Sequence, residues 1–213
     1  MNIKSIGLAS AALLGALALS TVASAAPTIT VSSIDTPLPA GQVMVDDFDN
    51  PIATGYSFSP ANVRSGSLGL DSGVSAPPPG DLTNYETVLG GATATLTAPS
   101  ALHAVSIFMG SPDDYNYITF EGGSVGLLTL SGANLFSPAT AFGGDQSIGR
   151  RVSYDFGSDT FTSVVFGSNS NSFEFDNIAV AGVPEPATWA MMMVGVGIMG
   201  AALRRRPAQA VAA

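Results

Sequence analysis

The sequence predicts an all-β protein: an antiparallel β-sandwich or jelly-roll-like ectodomain with a hydrophobic helix at each end, an N-terminal signal helix and a C-terminal transmembrane helix. Three observations predict it. Residues 26–183 carry no helical apolar period. Short β-branched or aromatic runs recur there about every ten residues, separated by Gly, Pro, Ser, Asn and Asp. The long uncharged apolar runs lie only at the two ends of the chain. Four segments follow: 1–25, 26–183, 184–206 and a short tail at 207–213.

The first segment opens with Lys4 and continues as an apolar stretch from Ile6 to Val22. It closes on Ala23-Ser24-Ala25 before Ala26, the small-residue cleavage pattern of a secretory signal peptide. Export through the Sec translocon and cutting by signal peptidase between Ala25 and Ala26 are expected. A retained N-terminal anchor is the alternative.

Within 26–183 the candidate strands are 28–34, 42–48, 55–58, 87–97 (interrupted at Gly90-Gly91), 102–109, 115–121, 125–130, 151–156, 161–166 and 172–180. Val105, Ile107 and Met109 alternate onto one face, as do Val164 and Phe166. Gly122-Gly123 joins two of these runs as a hairpin. The stretch 66–84, with Pro77-Pro78-Pro79-Gly80, reads as an extended loop. Near the end, Phe173 and Phe175 share one parity while Ile178 and Val180 share the other. That slip predicts a β-bulge at Asp176-Asn177.

Charge and composition exclude several classes. Between residues 26 and 183 three arginines face fifteen acids, a net −12. Such a surface repels nucleic acid, so no nucleic-acid partner is expected. The chain has no cysteine, which removes disulfides, zinc–thiolate sites and a thiol nucleophile. A domain of this size buries a sufficient core without cross-links.

The C-terminal segment has three parts in order: Pro184-Glu185-Pro186, an uncharged run of 17 residues from Ala187 to Leu203, and Arg204-Arg205-Arg206. As a helix the run spans about 25 Å, at the short end for a bilayer crossing. Gly195, Gly197 and Gly200 are of a kind common in membrane helices, and the arginines would stay on the cytoplasmic side with the tail. Trp189 and the three arginines are the expected membrane anchor. A buried core helix is the competing reading, disfavoured because the run is apolar on every face.

Pro184-Glu185-Pro186, Thr188-Trp189-Ala190, the Met/Gly-rich run and the basic triplet together resemble the PEP-CTERM sorting signal in its PEPxxWA variant. The resemblance implies recognition by an exosortase, a membrane transpeptidase, and cutting near Pro184, Glu185 and Pro186. It implies transient anchoring in the inner membrane of a Gram-negative bacterium, then release to the cell surface, outer membrane or extracellular matrix. The run from Ser106 to Asn116 is similar to a segment of exosortase-dependent surface proteins, with Met109 where a Trp often stands. Phe173–Ile178 resembles the final strand of such ectodomains and of jelly-roll carbohydrate-binding modules.

That second resemblance implies first and last strands side by side, with a structural Ca²⁺ between them. Asp47, Asp49, Asp176 and Asn177, beside Asp46, offer the oxygen ligands a hard cation needs. A solvated edge built of turn-forming Asp and Asn explains the same residues, and both readings stand. No other cofactor is suggested. A loop of Asp113, Asp114, Tyr115, Asn116 and Tyr117 is a candidate ligand-binding site. Tyr56, Tyr85, Tyr115, Tyr117 and Phe108 could form a sugar platform or simply pack.

Gly122–Gly126 matches a G-x-S-x-G nucleophile pattern, but a strand follows it and the single histidine, His103, precedes Ser124. A hairpin turn accounts for it, and His103 reads as a strand histidine. The expectation is a non-enzymatic exported surface or matrix protein associated with exopolysaccharide or biofilm. A carbohydrate-binding module is the alternative, and a secreted hydrolase a more distant one.

Overall fold

The computed structural model describes residues 26–33, 35–69, 71, 73–110, 113–136, 149–182 and 186–204, and on the C-terminal helix the side chains of 191–200 and Arg204. The expected signal peptide, its last residue Ala25, Pro184, Glu185, Arg205, Arg206 and the tail 207–213 lie outside the described residues. Ala26, the residue expected after the cut, is exposed.

The described chain is β-rich and antiparallel, as its alternating runs predict. Its strands are β1 (Thr28–Ser32), β2 (Val43–Asp46), β3 (Ser57–Ser59), β4 (Val63–Ser65), β5 (Asn84–Val88) and β6 (Ala92–Met109). They continue as β7 (Asn116–Gly122), β8 (Gly126–Ser131), β9 (Arg150–Asp155), β10 (Phe161–Ser168) and β11 (Phe173–Gly182).

Two layers share β6. Its first part pairs with β3 and β10, and β10 continues to β7 and β8. Its second part, from Leu102, pairs with β9 and β11. Beyond β9 lies β1. Beyond β11 lie β5 with β4 at one end and β2 at the other. The partners change between Thr97 and Leu102, and Pro99, which has no N–H to offer a ladder, sits in that gap. The sequence reading parted this strand between 97 and 102, where it is continuous, but marked the interruption at Gly90-Gly91 correctly. Gly91, at φ +78°, forms the real break, in a turn closed by Ala92 N–H to Leu89 C=O.

Aromatic rings fill the space between the layers. Phe166 of β10 meets Phe175 of β11 at 4.4 Å between centroids, and Phe120 of β7 meets Tyr154 of β9 at 5.6 Å. Phe58, Phe161, Phe156 and Phe173 extend the two groups. Val105, Ile107, Met109, Val164 and Phe166 all point into this core, each 0–1% exposed.

The outer face of the second layer is also covered, so every residue from Ala104 to Met109 is buried. Gln42 bonds Ser106 and Ser153 there. Arg151, 2% exposed, is held by Asp35 and by Ser106 Oγ at 2.9 Å. The Phe108 ring lies against Gly149, where a Cβ would fall 2.3 Å from it.

The Gly122-Gly123 hairpin forms as expected, with Gly122 opposite Gly126. The bulge also lies where the parity slip places it: the β11–β6 register shifts between Asp176 and Ala179, and Asn177 takes φ +56°. The expected loop 66–84 is not wholly irregular. It carries a 3-10 turn at Gly66–Leu68 and an Asp71–Ser75 bridge, and β4 just before it was not anticipated.

Helix α1 (Pro186–Arg204) follows β11 after three residues, with Pro at its first position, where a missing N–H costs nothing. Met191, Met192, Met193, Val194, Val196, Ile198 and Met199 are 54–71% exposed on it. Among the described residues no helix is long and apolar enough to cross a membrane. The ten consecutive residues whose side chains are described, 191–200, rise only about 15 Å.

Candidate functional site: an acceptor-lined cavity and a C-terminal motif

Three loops at one end of the sandwich enclose a cavity of about 270 Å³. Asp71 and residues 73–79 supply one wall, Gly110, Asp113 and Tyr115 a second, and Asn171, Ser172 and Glu174 a third. The loops meet because β11 begins, β6 ends and β7 begins at the same pole: Phe175 lies opposite Met109, and Asn169 N–H bonds Tyr115 C=O.

Glu174 is the most enclosed acid of the cavity. Ala76 N–H donates to its Oε1 at 3.0 Å, and Ser172 Oγ donates to the same oxygen. Burial pushes its pKa up, Ser172 and Ala76 pull it down, and the charge of Asp113 pushes it up again. Burial and then Asp113 likewise raise the Tyr115 phenol, whose O–H donates to Asn171 C=O at 2.9 Å. Asp71 is occupied by Arg64 at 2.6 Å.

The structure divides the predicted ligand loop. Asp113 and Tyr115 line the cavity. Asn116 is buried and accepts from Ser168 Oγ at 2.8 Å. Tyr117 lies over Gly167, where a Cβ would fall 2.1 Å from the ring. Asp114 is exposed, with its main chain against Gly132. The five aromatics of the supposed platform are dispersed as well: Tyr85 and Phe108 are buried, and Tyr56 packs on the core.

The residues considered for calcium are placed near one another in the fold but differently employed. The first strand, β1, lies beside β9 and not beside the last; it is β2 that pairs with β11, with Asp46 opposite Ile178. Asp47, however, closes a turn by accepting from Asn50 N–H at 2.9 Å and Asn50 Nδ2 at 2.8 Å. Asp49 accepts from Asn84 N–H at 3.1 Å. Asn177 Nδ2 donates to Asp35 at 2.9 Å.

Asp176 is 1% exposed; its carboxyl takes Asn177 N–H at 2.6 Å and faces Thr83 Oγ1 at 3.4 Å. Burial first, then the nearby Asp81 carboxylate, push its pKa up to about 8. Among the described residues no group of three or more His, Cys, Asp or Glu could hold a metal ion.

Sequence reasoning missed Glu174, Asn171, Ser172 and Asp71 of the cavity. Glu174 alternates with Phe173 and Phe175 as any solvent-facing strand residue would, so no local pattern marks it. Ser124, by contrast, stands where expected, in the turn before β8, with Oγ donating to Asp159 at 2.8 Å. His103 lies on β6 with Nδ1 3.5 Å from Asp155.

At the opposite end of β11 the last paired residue is Gly182, opposite Leu102, and α1 starts at Pro186. Trp189 lies within α1, and Arg204, its last residue, is exposed. The segment's identity is decided by comparison with known families. Residues 182–206 match the PEP-CTERM protein-sorting motif. The PEP-CTERM motif thus begins at the last residue of the final strand and covers the whole of α1. It implies export, surface or extracellular sorting, and an exosortase as processing partner. No curated protein and no solved structure matches the chain.

Proposed function

We propose that the chain is a non-enzymatic surface or extracellular-matrix protein, delivered by exosortase processing and retained in an exopolysaccharide or biofilm layer. One observation carries the reading: a PEP-CTERM motif begins at the last strand residue of a packed β-sandwich. The signal peptide at 1–25 would bring the chain to the Sec translocon. The uncharged run 187–203 and the arginines after it would then hold it in the inner membrane. The exposed Met, Val and Ile side chains of α1 support this step, because they leave a large apolar surface without cover in water. Cutting near Pro184–Pro186 would remove that surface and leave the acidic domain soluble at the cell exterior.

Mass spectrometry of protein recovered from the cell surface and medium, with and without the exosortase, tests the reading. The expected product starts at Ala26 and ends near Pro184–Pro186 only when the enzyme is present. Full-length polypeptide with Met1 and Trp189 retained at the surface would overturn it.

A second reading, a carbohydrate-binding protein, is favoured by the cavity, which Asp113 and Tyr115 line together with Glu174. Binding to a polysaccharide array tests it. Retention that depends on Glu174 supports it, and no retention leaves the structural role alone.

A further inference from the structure

The polar groups around the cavity are unequally employed. Its donors are turned into the protein. Asn171 Nδ2 reaches Gly73 C=O at 3.3 Å, Tyr115 O–H reaches Asn171 C=O at 2.9 Å, and the single Ser172 hydroxyl proton lies between Glu174 Oε1 and Val74 C=O. Ser75 Oγ is engaged with Tyr85 Oη at 3.1 Å. Backbone donors on this wall are used too, Val74 N–H and Ser75 N–H both by Asp71 C=O. Arg64, beside the cavity residue Asp71, is held by it at 2.6 Å.

What remains is acceptor capacity of one sign. Asp113 and Glu174 come from different walls, and the charge of Asp113 acts on Glu174. The bonds from Ala76 N–H and Ser172 Oγ fall on the same oxygen, Oε1 of Glu174. An incoming carboxylate, phosphate or uronic acid would meet two acidic side chains there. A cationic donor would relieve the repulsion and form charge-assisted hydrogen bonds.

We propose that this cavity binds the ammonium group of a small, single-ring ligand between Glu174 and Asp113. At about 270 Å³ the space falls below the range of drug-sized pockets, so it admits one ring and not an extended chain. The location suits capture from outside. The cavity opens at the start of β11, whereas the sorting motif leaves from the other end of this 10-residue strand, about 30 Å away. Thr28, which pairs with Asp155, and Gly182 lie at that same far end, so both segments expected to be removed leave from the pole opposite the cavity.

The inference rests on the second reading above, that the cavity takes an external ligand, and names the chemistry it would recognise. Calorimetric titration of the full chain with glucosamine, N-acetylglucosamine, glucuronate and lysine amide tests it. Glucosamine is expected to bind at least about tenfold more tightly than its uncharged N-acetyl counterpart, with glucuronate weakest. Lysine amide binding as well as glucosamine supports recognition of the ammonium from any source, and weaker binding supports the amino sugar. Glu174→Gln and, on the other wall, Asp113→Asn should each lower glucosamine affinity about tenfold, while the melting temperature confirms folding. Equal binding of the amine and its acetylated form overturns the ammonium inference while leaving a carbohydrate site. No binding of any of the four overturns both.

Discussion

The buried carboxyls set how this domain responds to pH. Asp176 and Glu86 are each 1% exposed, and burial raises them to about 8 and about 7, respectively. Around Asp176 stand Asp81 from the loop before β5, Asp35 from the segment after β1, and Arg151 from β9. Asp81 Oδ2 is buried without a partner when Asp176 is drawn as a carboxylate, and a proton on Asp176 would supply one. Because the folded pKa lies above the unfolded value near 3.8, the native state binds more protons than the unfolded one across the interval. Stability therefore falls as pH rises from about 4 to about 8, by up to about 1.4 kcal/mol per pH unit for each such group, and levels off above. Asp176→Asn imitates the protonated acid. It should flatten that slope by close to one proton and stabilise the domain on the alkaline side, as read from urea unfolding at several pH values. An unchanged slope would mean that Asp176 is ionised throughout. A second residue-scale test concerns Gly123 in the hairpin turn. Its φ is +57°, and a Cβ would fall 2.2 Å from Thr160 C=O, so Gly123→Ala should cost more than about 2 kcal/mol in the same assay.

Among the elements, β11 links the sheet to the cavity, since it pairs with β2, β5 and β6 and begins at the cavity. Its bulge turns on Asn177, held at φ +56° with Nδ2 on Asp35. Asn177→Ala loses both the hydrogen bond and the tolerance for that backbone, whereas Asn177→Gly loses only the bond. Chemical denaturation should therefore show Ala less stable than Gly by about 1 kcal/mol, and the reverse order would remove the strain argument. This bulge was legible in the sequence because Phe173, Phe175, Ile178 and Val180 change parity across it. The hairpin at Gly122-Gly123 was legible for a similar reason, its turn chemistry being local. Strand β6 was not, because Pro99 reads as a break until one sees that the strand changes partners there. The cavity was half legible. Asp113 and Tyr115 lie in a conspicuous run, but Glu174 and Asn171 reach it only through pairings between distant segments, which no local spacing encodes.

For the whole molecule, the division of labour between sandwich and C-terminal helix makes a prediction about stability. The core is complete without α1: its members run from Val45 to Val180, all within the strands and their connections. The described apolar side chains of α1 are exposed, so they contribute no burial to the sandwich. Ending the chain after Gly182 keeps that residue's place beside Leu102 and removes a helix whose described side chains are all exposed. The truncated domain should match the full chain in melting temperature within about 2 °C, because among the described residues no buried side chain is lost with the helix. It should also stay soluble without detergent, since a surface with three arginines against fifteen acids repels its own kind. A fall of about 5 °C or more would show that the helix packs on the sandwich after all. That outcome would undercut the sorting reading as well, because removing the helix would then leave behind a weakened fold in place of an independent domain.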